Sequence, residues 1–275
     1  MKKIQRKIKI GIVGCGAIGS RLGKSVKKEL RGLCEITALF DIDPAKAESL
    51  ARVCAKPGSV KKSLDQLLKN CDLMVEAVNA PHTETIIRKG LAAGKDILVM
   101  SVGKLLETKN LFPFAKKNRC ALLIPSGAIA GIDAIKAASL GRIDKVTITS
   151  RKPPLGFSNA PYVKEKGIDL SGIEKETVLF EGNVETAVRS FPQNINVAAT
   201  LALASQAPDK LTIRIIASPE TQTNSHEIEV TGDFGRISSR TENVVCPDNP
   251  KTSYLAVLSA IQTLKEYCSG THVGT

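Results

Sequence analysis

Ile8-Lys9-Ile10-Gly11-Ile12-Val13-Gly14-Cys15-Gly16-Ala17-Ile18-Gly19 is the stretch on which the fold turns. Branched apolar residues run straight into glycines spaced Gly-x-Gly-x-x-Gly. Ile18, Leu22, Val26 and Leu30 then recur every fourth residue, which puts one apolar stripe on a helix. The local reading is a strand, a tight turn and an amphipathic helix. The next apolar run, 35–40, ends at Asp41, 22 residues beyond Gly19.

That context gives the glycines a job. Gly14 permits the turn, Gly16 lets backbone approach a pyrophosphate, and Gly19 lets helix and strand pack closely. The helix opening at Ala17 and Ile18 offers N–H groups and a partial positive charge to the phosphates. Asp41 accepts hydrogen bonds from ribose hydroxyls. A carboxylate there repels a 2′-phosphate and neither Ile42 nor Asp43 welcomes one, so NAD is the expected cofactor, with NADP possible.

Outward from this unit, runs 72–78, 96–101 and 120–124 are continuously apolar, as strands covered on both faces are. Helical patterns lie between them. Ser63 and Gln66 mark a capping box, and Gly94 stops a helix running from Pro81 to Ala93. Strands separated by helices predict a parallel sheet with right-handed crossovers. The second half changes character. A helix-like stretch covers 127–140, and runs 145–150, 210–217, 225–231 and 235–241 are short and alternating, the last two joined by a Gly-Asp-Phe-Gly hairpin signal. Helices are expected at 183–190, 193–205 and about 251–267. The fold class is therefore α/β: an N-terminal Rossmann-type doubly wound parallel sheet, plus a smaller α+β domain with a mostly antiparallel sheet. Residues 1–125 form the dinucleotide-binding domain, with the C-terminal helix region 250–275 packing back onto it. Residues 126–249 form the substrate and dimerisation domain.

The 275 residues are 43% hydrophobic and 24% charged, as in ordinary globular proteins. That excludes disorder, and no run reaches the roughly 18 apolar residues of a membrane span. No signal peptide follows the basic start, so a cytoplasmic location is expected. Seven cysteines without CxxC or metal-type clustering indicate neither a disulfide scaffold nor a metal site. Residues 1–31 carry nine of the twelve net positive charges, and aromatics are only 4%. The excess is a local solvated patch, and no nucleic-acid partner is expected.

Several segments carry unusual residue choices. The turn Asn79-Ala80-Pro81-His82 follows a strand at its carboxyl end, beside the expected cofactor; Ala80 is assigned there as a cofactor contact. Pro125-Ser126-Gly127-Ala128-Ile129-Ala130-Gly131 either opens a helix with free N–H groups for an anion or serves close helix–strand packing. Phe191 to Ala199 places Asn194 and Asn196 at the head of an Ala-rich helix; a cap explains the first but not the second. His226 alternates in phase with Ile228 and Val230 and so points to their face rather than to water. On that pattern alone the imidazole is either structural or catalytic.

Together GIVGCGAIG, PSGAIAGIDA, FPQNINVAATLALA, HEIEVTGDFG and NPKTSYLA resemble the L-aspartate dehydrogenase family over most of the chain. The resemblance implies oxidation of L-aspartate with NAD or NADP to iminoaspartate, which yields oxaloacetate and ammonia or feeds NAD biosynthesis. It implies nicotinamide-side contacts at Ala130 and Asn196 and a catalytic His226. Binding of the substrate carboxylates is assigned here to Ser126 and Gly127, and to Lys251, Thr252 and Ser253 at the start of the last helix. A homodimer is expected. Two rivals stand. In a sugar or polyol oxidoreductase a strand ending Glu-Lys-Pro supplies a lysine, but the comparable stretch here, Ser101-Val102-Gly103-Lys104-Leu105, lacks the Glu and Pro. A non-catalytic dinucleotide sensor would need the glycine turn but not His226, Asn196 or the Ser126 cluster.

Overall fold

The computed structural model describes residues 6–78, 82–108, 110–192, 195–247 and 249–275, without the side chains of 249–251. Two compact units emerge: Met1–Pro125 with Val257–His272, and Ser126–Ala256 with Val273–Thr275.

The first unit alternates strand and helix: β1 (Ile8–Val13), α1 (Ala17–Lys28), β2 (Cys34–Phe40), α2 (Pro44–Cys54), α3 (Leu64–Leu68), β3 (Leu73–Glu76), α4 (Thr83–Ala92), β4 (Asp96–Val99), α5 (Leu111–Lys117) and β5 (Leu122–Leu123). The sheet order is β2-β1-β3-β4-β5 and every pairing is parallel. The order reverses at β1, which places a topological switch point at the carboxyl ends of β1 and β3. Inner strands are buried on both faces, which explains their continuous apolar runs. They are shorter than the runs suggested: 72–78 contracts to β3 and 120–124 to the two residues of β5.

Local chemistry sets the helix ends. Ser63 Oγ accepts the Gln66 N–H at 3.2 Å, while Gln66 Oε1 accepts the Lys62 N–H rather than that of Ser63, a capping box displaced by one residue. The core of this unit joins Ile10, Ile12, Leu22, Val26, Leu39 and Leu73 to Ala260 and Leu264 of the last helix, α10 (Tyr254–Ser269). That helix starts later than the expected residue 251. Residues 249–253 extend instead as β12 (Asn249–Ser253) against β11 (Val245–Cys246).

The second unit contains α6 (Ile132–Ala138), β6 (Ile143–Lys152), α7 (Pro161–Glu165), β7 (Thr177–Gly182), α8 (Val184–Ser190), α9 (Asn196–Ser205), β8 (Leu211–Ala217), β9 (Asn224–Gly232) and β10 (Gly235–Asn243). Its sheet runs β10-β9-β6-β8-β7, antiparallel except for β6 with β8. Gly232 pairs with Gly235 across the expected two-residue hairpin turn. Two features depart from the sequence reading. Strand β7 was not foreseen, because Thr177–Gly182 shows no clear alternation. The helix expected from 127 begins only at Ile132: Gly127 and Gly131 both have positive φ, at 72° and 81°, and break the segment before it.

Candidate dinucleotide and active site

In the first unit the three glycines separate by role. Gly14 has φ 89°, and a Cβ there would stand 2.5 Å from the Ala77 carbonyl oxygen. A Cβ on Gly19 would stand 1.9 Å from the carbonyl oxygen of Gly14, so the strand–helix contact itself demands glycine. A Cβ on Gly16 would meet nothing within 4 Å. Packing therefore does not require Gly16, and the open space over it is the room a pyrophosphate needs. Gly16 caps α1, whose first turn holds no acidic residue and whose last turn carries Lys27 and Lys28. The N–H groups of Ala17 and Ile18 head that helix without carbonyls one turn back, the donors a phosphate uses.

Asp41 stands at the carboxyl end of β2. Its Oδ2 accepts the Cys15 N–H at 2.7 Å and its Oδ1 accepts the Asp43 N–H at 2.9 Å. The carboxylate thus clamps the glycine turn and retains acceptor capacity for hydroxyls. Burial, with Asp41 alongside, pushes the Cys15 thiol up to about 12, so it stays neutral and unreactive. These residues fit an NAD(P) molecule. Ala80 lies outside the described residues; His82 is exposed at the head of α4.

Beside this turn Glu76 ends β3 fully buried, a residue the sequence reading passed over. It accepts Val78 N–H at 3.0 Å, Met100 N–H at 3.2 Å and Ser101 N–H at 3.1 Å, and meets the Ser101 hydroxyl at 2.8 Å. Burial raises its pKa against the pull of these hydrogen bonds. An acid inside the apolar run Leu73–Val78 was the signal that could have found it.

In the second unit β9 carries His226 between two cross-strand neighbours, Ser150 of β6 and Thr241 of β10. The imidazole is 6% exposed, on the same face as Ile228 and Val230, and Nδ1 lies 2.9 Å from Ser150 Oγ. Burial lowers its pKa to about 4, helped by the charge of Lys152, so the ring is neutral near neutral pH. Lys152, two residues beyond Ser150 on β6, is itself lowered to about 8 by burial. Neither Ser150 nor Lys152 was singled out from sequence. Both stand in phase with Ile148 at the end of the strand, and that alternation was the available signal.

The small-residue loop is pinned onto the same face. Ala128 O accepts hydrogen bonds from Thr241 Oγ1 at 2.8 Å and Asn243 Nδ2 at 3.0 Å, and Ala130 O accepts one from Ser239 Oγ at 3.0 Å. Gly127 lies against Val197, next to Asn196 at the start of α9. The loop of Gly127 and Ala130 therefore lies on the same side of this sheet as His226, and Asn196 adjoins Val197, the neighbour of Gly127, while Gly14, Gly16, Ala17, Ile18, Gly19 and Asp41 belong to the first unit. Ser126 precedes the loop and does not open a helix, so its expected helix-terminal role is corrected by the two positive-φ glycines. Thr252 and Ser253 lie on β12 rather than in the first turn of a helix; Ser253 is buried opposite Val245. The side chain of Lys251 lies outside the described residues. Lys104 is held in a surface ion pair with Glu107 at 2.9 Å. No cluster of possible metal ligands occurs among the described residues.

A parallel sheet opened by a glycine-rich turn, followed by an open, mostly antiparallel sheet bearing a buried histidine, defines an NAD(P)-dependent two-domain oxidoreductase. The family model described as Homoserine dehydrogenase, NAD binding domain, matches residues 14–125, and that described as Aspartate dehydrogenase, C-terminal, matches residues 133–267. L-aspartate dehydrogenase of Methanosarcina barkeri is 44% identical over 98% of this chain and 100% of its own length, and that of Methanococcus maripaludis strain C6 is 42% identical over the same shares. The chain belongs to the L-aspartate dehydrogenase family. Its fold matches the crystal structure of aspartate dehydrogenase from Thermotoga maritima with a TM-score of 0.71 at 23% identity, covering 98% of this chain and 100% of that one. A homoserine dehydrogenase from Thiobacillus denitrificans matches with a TM-score of 0.62 at 13% identity, over 96% and 73%.

Proposed function

We propose that this chain oxidises L-aspartate to iminoaspartate with NAD(P), the imine then yielding oxaloacetate and ammonia. The observation that carries this reading is the buried, neutral imidazole of His226, hydrogen-bonded to Ser150 beside the pinned loop, in a chain whose relatives are L-aspartate dehydrogenases. Bound NAD(P) supplies the hydride acceptor. The chain's own residues do the rest. In the tautomer whose Nδ1–H donates to Ser150 Oγ, the Nε2 lone pair is left to take a proton from the substrate ammonium; once that proton has passed to solvent, the same lone pair takes one from attacking water. The two carboxylates of the diacid favour the imidazolium and lift the His226 pKa toward neutrality as the proton arrives. Ala130 and Asn196 contact the nicotinamide side, and Ser126, Gly127, Lys251, Thr252 and Ser253 are assigned to the substrate carboxylates.

Asp41 favours NAD over NADP by charge repulsion of the 2′-phosphate. A homodimer through the second sheet is supported by its polar face, where Arg151 with Glu227, Arg214 with Glu181 and Arg236 with Glu229 form an alternating charge lattice suited to a second copy. A cytoplasmic location and a role in NAD biosynthesis complete the reading; no helix among the described residues is long and apolar enough to cross a membrane. The test is reduction of NAD by purified protein offered L-aspartate, L-homoserine and a panel of polyols. Turnover on aspartate well above the others is expected. Turnover confined to a polyol, or none on any substrate, would overturn the proposal.

A further inference from the structure

We propose that Lys152 is a substrate-anchoring residue whose ammonium receives one carboxylate of the diacid directly beside His226. The inference rests on the aspartate-oxidising reading above and adds to it a group that the sequence did not single out.

Position comes first. Ser150 pairs across the strands with His226, so side chains at 148, 150 and 152 share the imidazole's face of the sheet. Lys152 is the last residue of β6, one step along this row, and its charge is felt by His226. The chain then turns through a short 3-10 segment, Pro154–Phe157, which covers the lysine stem: a Cβ on Gly156 would stand 3.7 Å from Lys152 Cβ and 3.9 Å from Cδ. Nζ lies 6.0 Å from the ring centroid of Phe157, whose ring also meets Phe191 edge-on at 6.1 Å. A packed stem above an aromatic floor fixes the ammonium with little side-chain freedom left to lose when a ligand arrives.

Chemistry then selects the ligand. An ammonium carries three donors, and a cation whose charge already reaches the imidazole suits an incoming carboxylate there. Arg151, the neighbouring cation, projects to the opposite face and is engaged by Glu176 and Glu227, each at 3.1 Å. A carboxylate bound at Lys152 is next to the imidazole that takes the proton. Its negative charge also offsets the lysine's penalty on the imidazolium. One contact thereby orients the diacid and tunes the base.

The experiment compares wild-type protein with Lys152→Met and Lys152→Arg, measuring NADH affinity by fluorescence and kcat and KM for L-aspartate. Lys152→Met should keep NADH affinity within about threefold, raise the aspartate KM by about 10²-fold or more and change kcat by less than about tenfold. Lys152→Arg, which keeps the charge, should restore most of the affinity for aspartate. An aspartate KM within threefold of wild type in Lys152→Met would overturn the proposal. So would a loss confined to kcat, since that marks a proton carrier rather than an anchor. Should the Met variant fail to fold, the Arg variant with NADH affinity retained and aspartate affinity abolished would equally count against it. His226→Ala, run in parallel, separates the two readings: its failure to lose turnover would remove the base and leave the anchor standing.

Discussion

Replacing Asp41 by alanine should disturb the cofactor turn and the cofactor choice together, and the two effects can be separated. The carboxylate accepts the Cys15 N–H at 2.7 Å and the Asp43 N–H at 2.9 Å. Cys15 is buried, so its N–H would lose its partner without gaining water, a cost of about 1–3 kcal/mol. The Asp43 N–H is exposed and water replaces its partner, adding little. For a domain of this size each kcal/mol lowers Tm by roughly 2–4 °C, so a loss of roughly 2–12 °C is expected. Lost ribose contacts should raise the NAD KM by roughly tenfold or more, since hydrogen bonds to a charged group contribute about 1.5–3 kcal/mol. NADP should lose less or gain, because the repulsion of its phosphate disappears. Asp41→Asn keeps one side-chain oxygen for Cys15 while removing the charge, so it should retain most of the Tm yet still shift the cofactor ratio. Thermal unfolding and KM for both cofactors in wild type and the two variants provide the measurement. A ratio of NAD to NADP efficiency within twofold of wild type in both variants would refute the role of Asp41.

Further outcomes follow from the same geometry. Gly19→Ala drives a Cβ into the Gly14 carbonyl at 1.9 Å, so the variant should be insoluble or lose NADH binding altogether, as dye-based thermal shift and NADH titration would report. Ser150→Ala frees the imidazole to adopt the wrong tautomer; kcat should fall by about tenfold with NADH affinity unchanged, and Ser150→Thr should recover part of it. The pH dependence has a defined sign. Lys152 is lowered to about 8 by burial, so it is an ammonium below that pH and a neutral amine above it. His226 from β9, on which the charge of Lys152 acts, is lowered to about 4 and already neutral there. The aspartate KM should therefore rise as pH passes about 8, and Lys152→Arg should abolish that rise in a steady-state pH series.

The N-terminal unit was legible because its chemistry is local. Gly19 is fixed by a contact with Gly14 five residues earlier, Gly14 shows itself through the glycine spacing although its close contact is with Ala77, and the parallel strands announce themselves through continuous apolar runs that burial on both faces requires. The second unit was less so. The alternation of His226 with Ile228 and Val230 gave the facing of the imidazole correctly. The partners that matter to it, Ser150 and Lys152, are more than seventy residues away and meet it only through strand pairing, which one sequence does not reveal. Helix starts failed where backbone geometry overrode propensity. Gly127 and Gly131 at positive φ turned an expected helix opening into a loop, and pairing with β11 extended residues 249–253 that a proline had suggested were helical.

Turnover of His226→Ala beside wild type addresses the core of the account most directly. With saturating NAD and L-aspartate, NADH formation should drop by about 10²-fold or more while the dissociation constant for NADH stays nearly constant. Wild-type-like turnover in that variant would contradict the assignment of proton transfer to this imidazole.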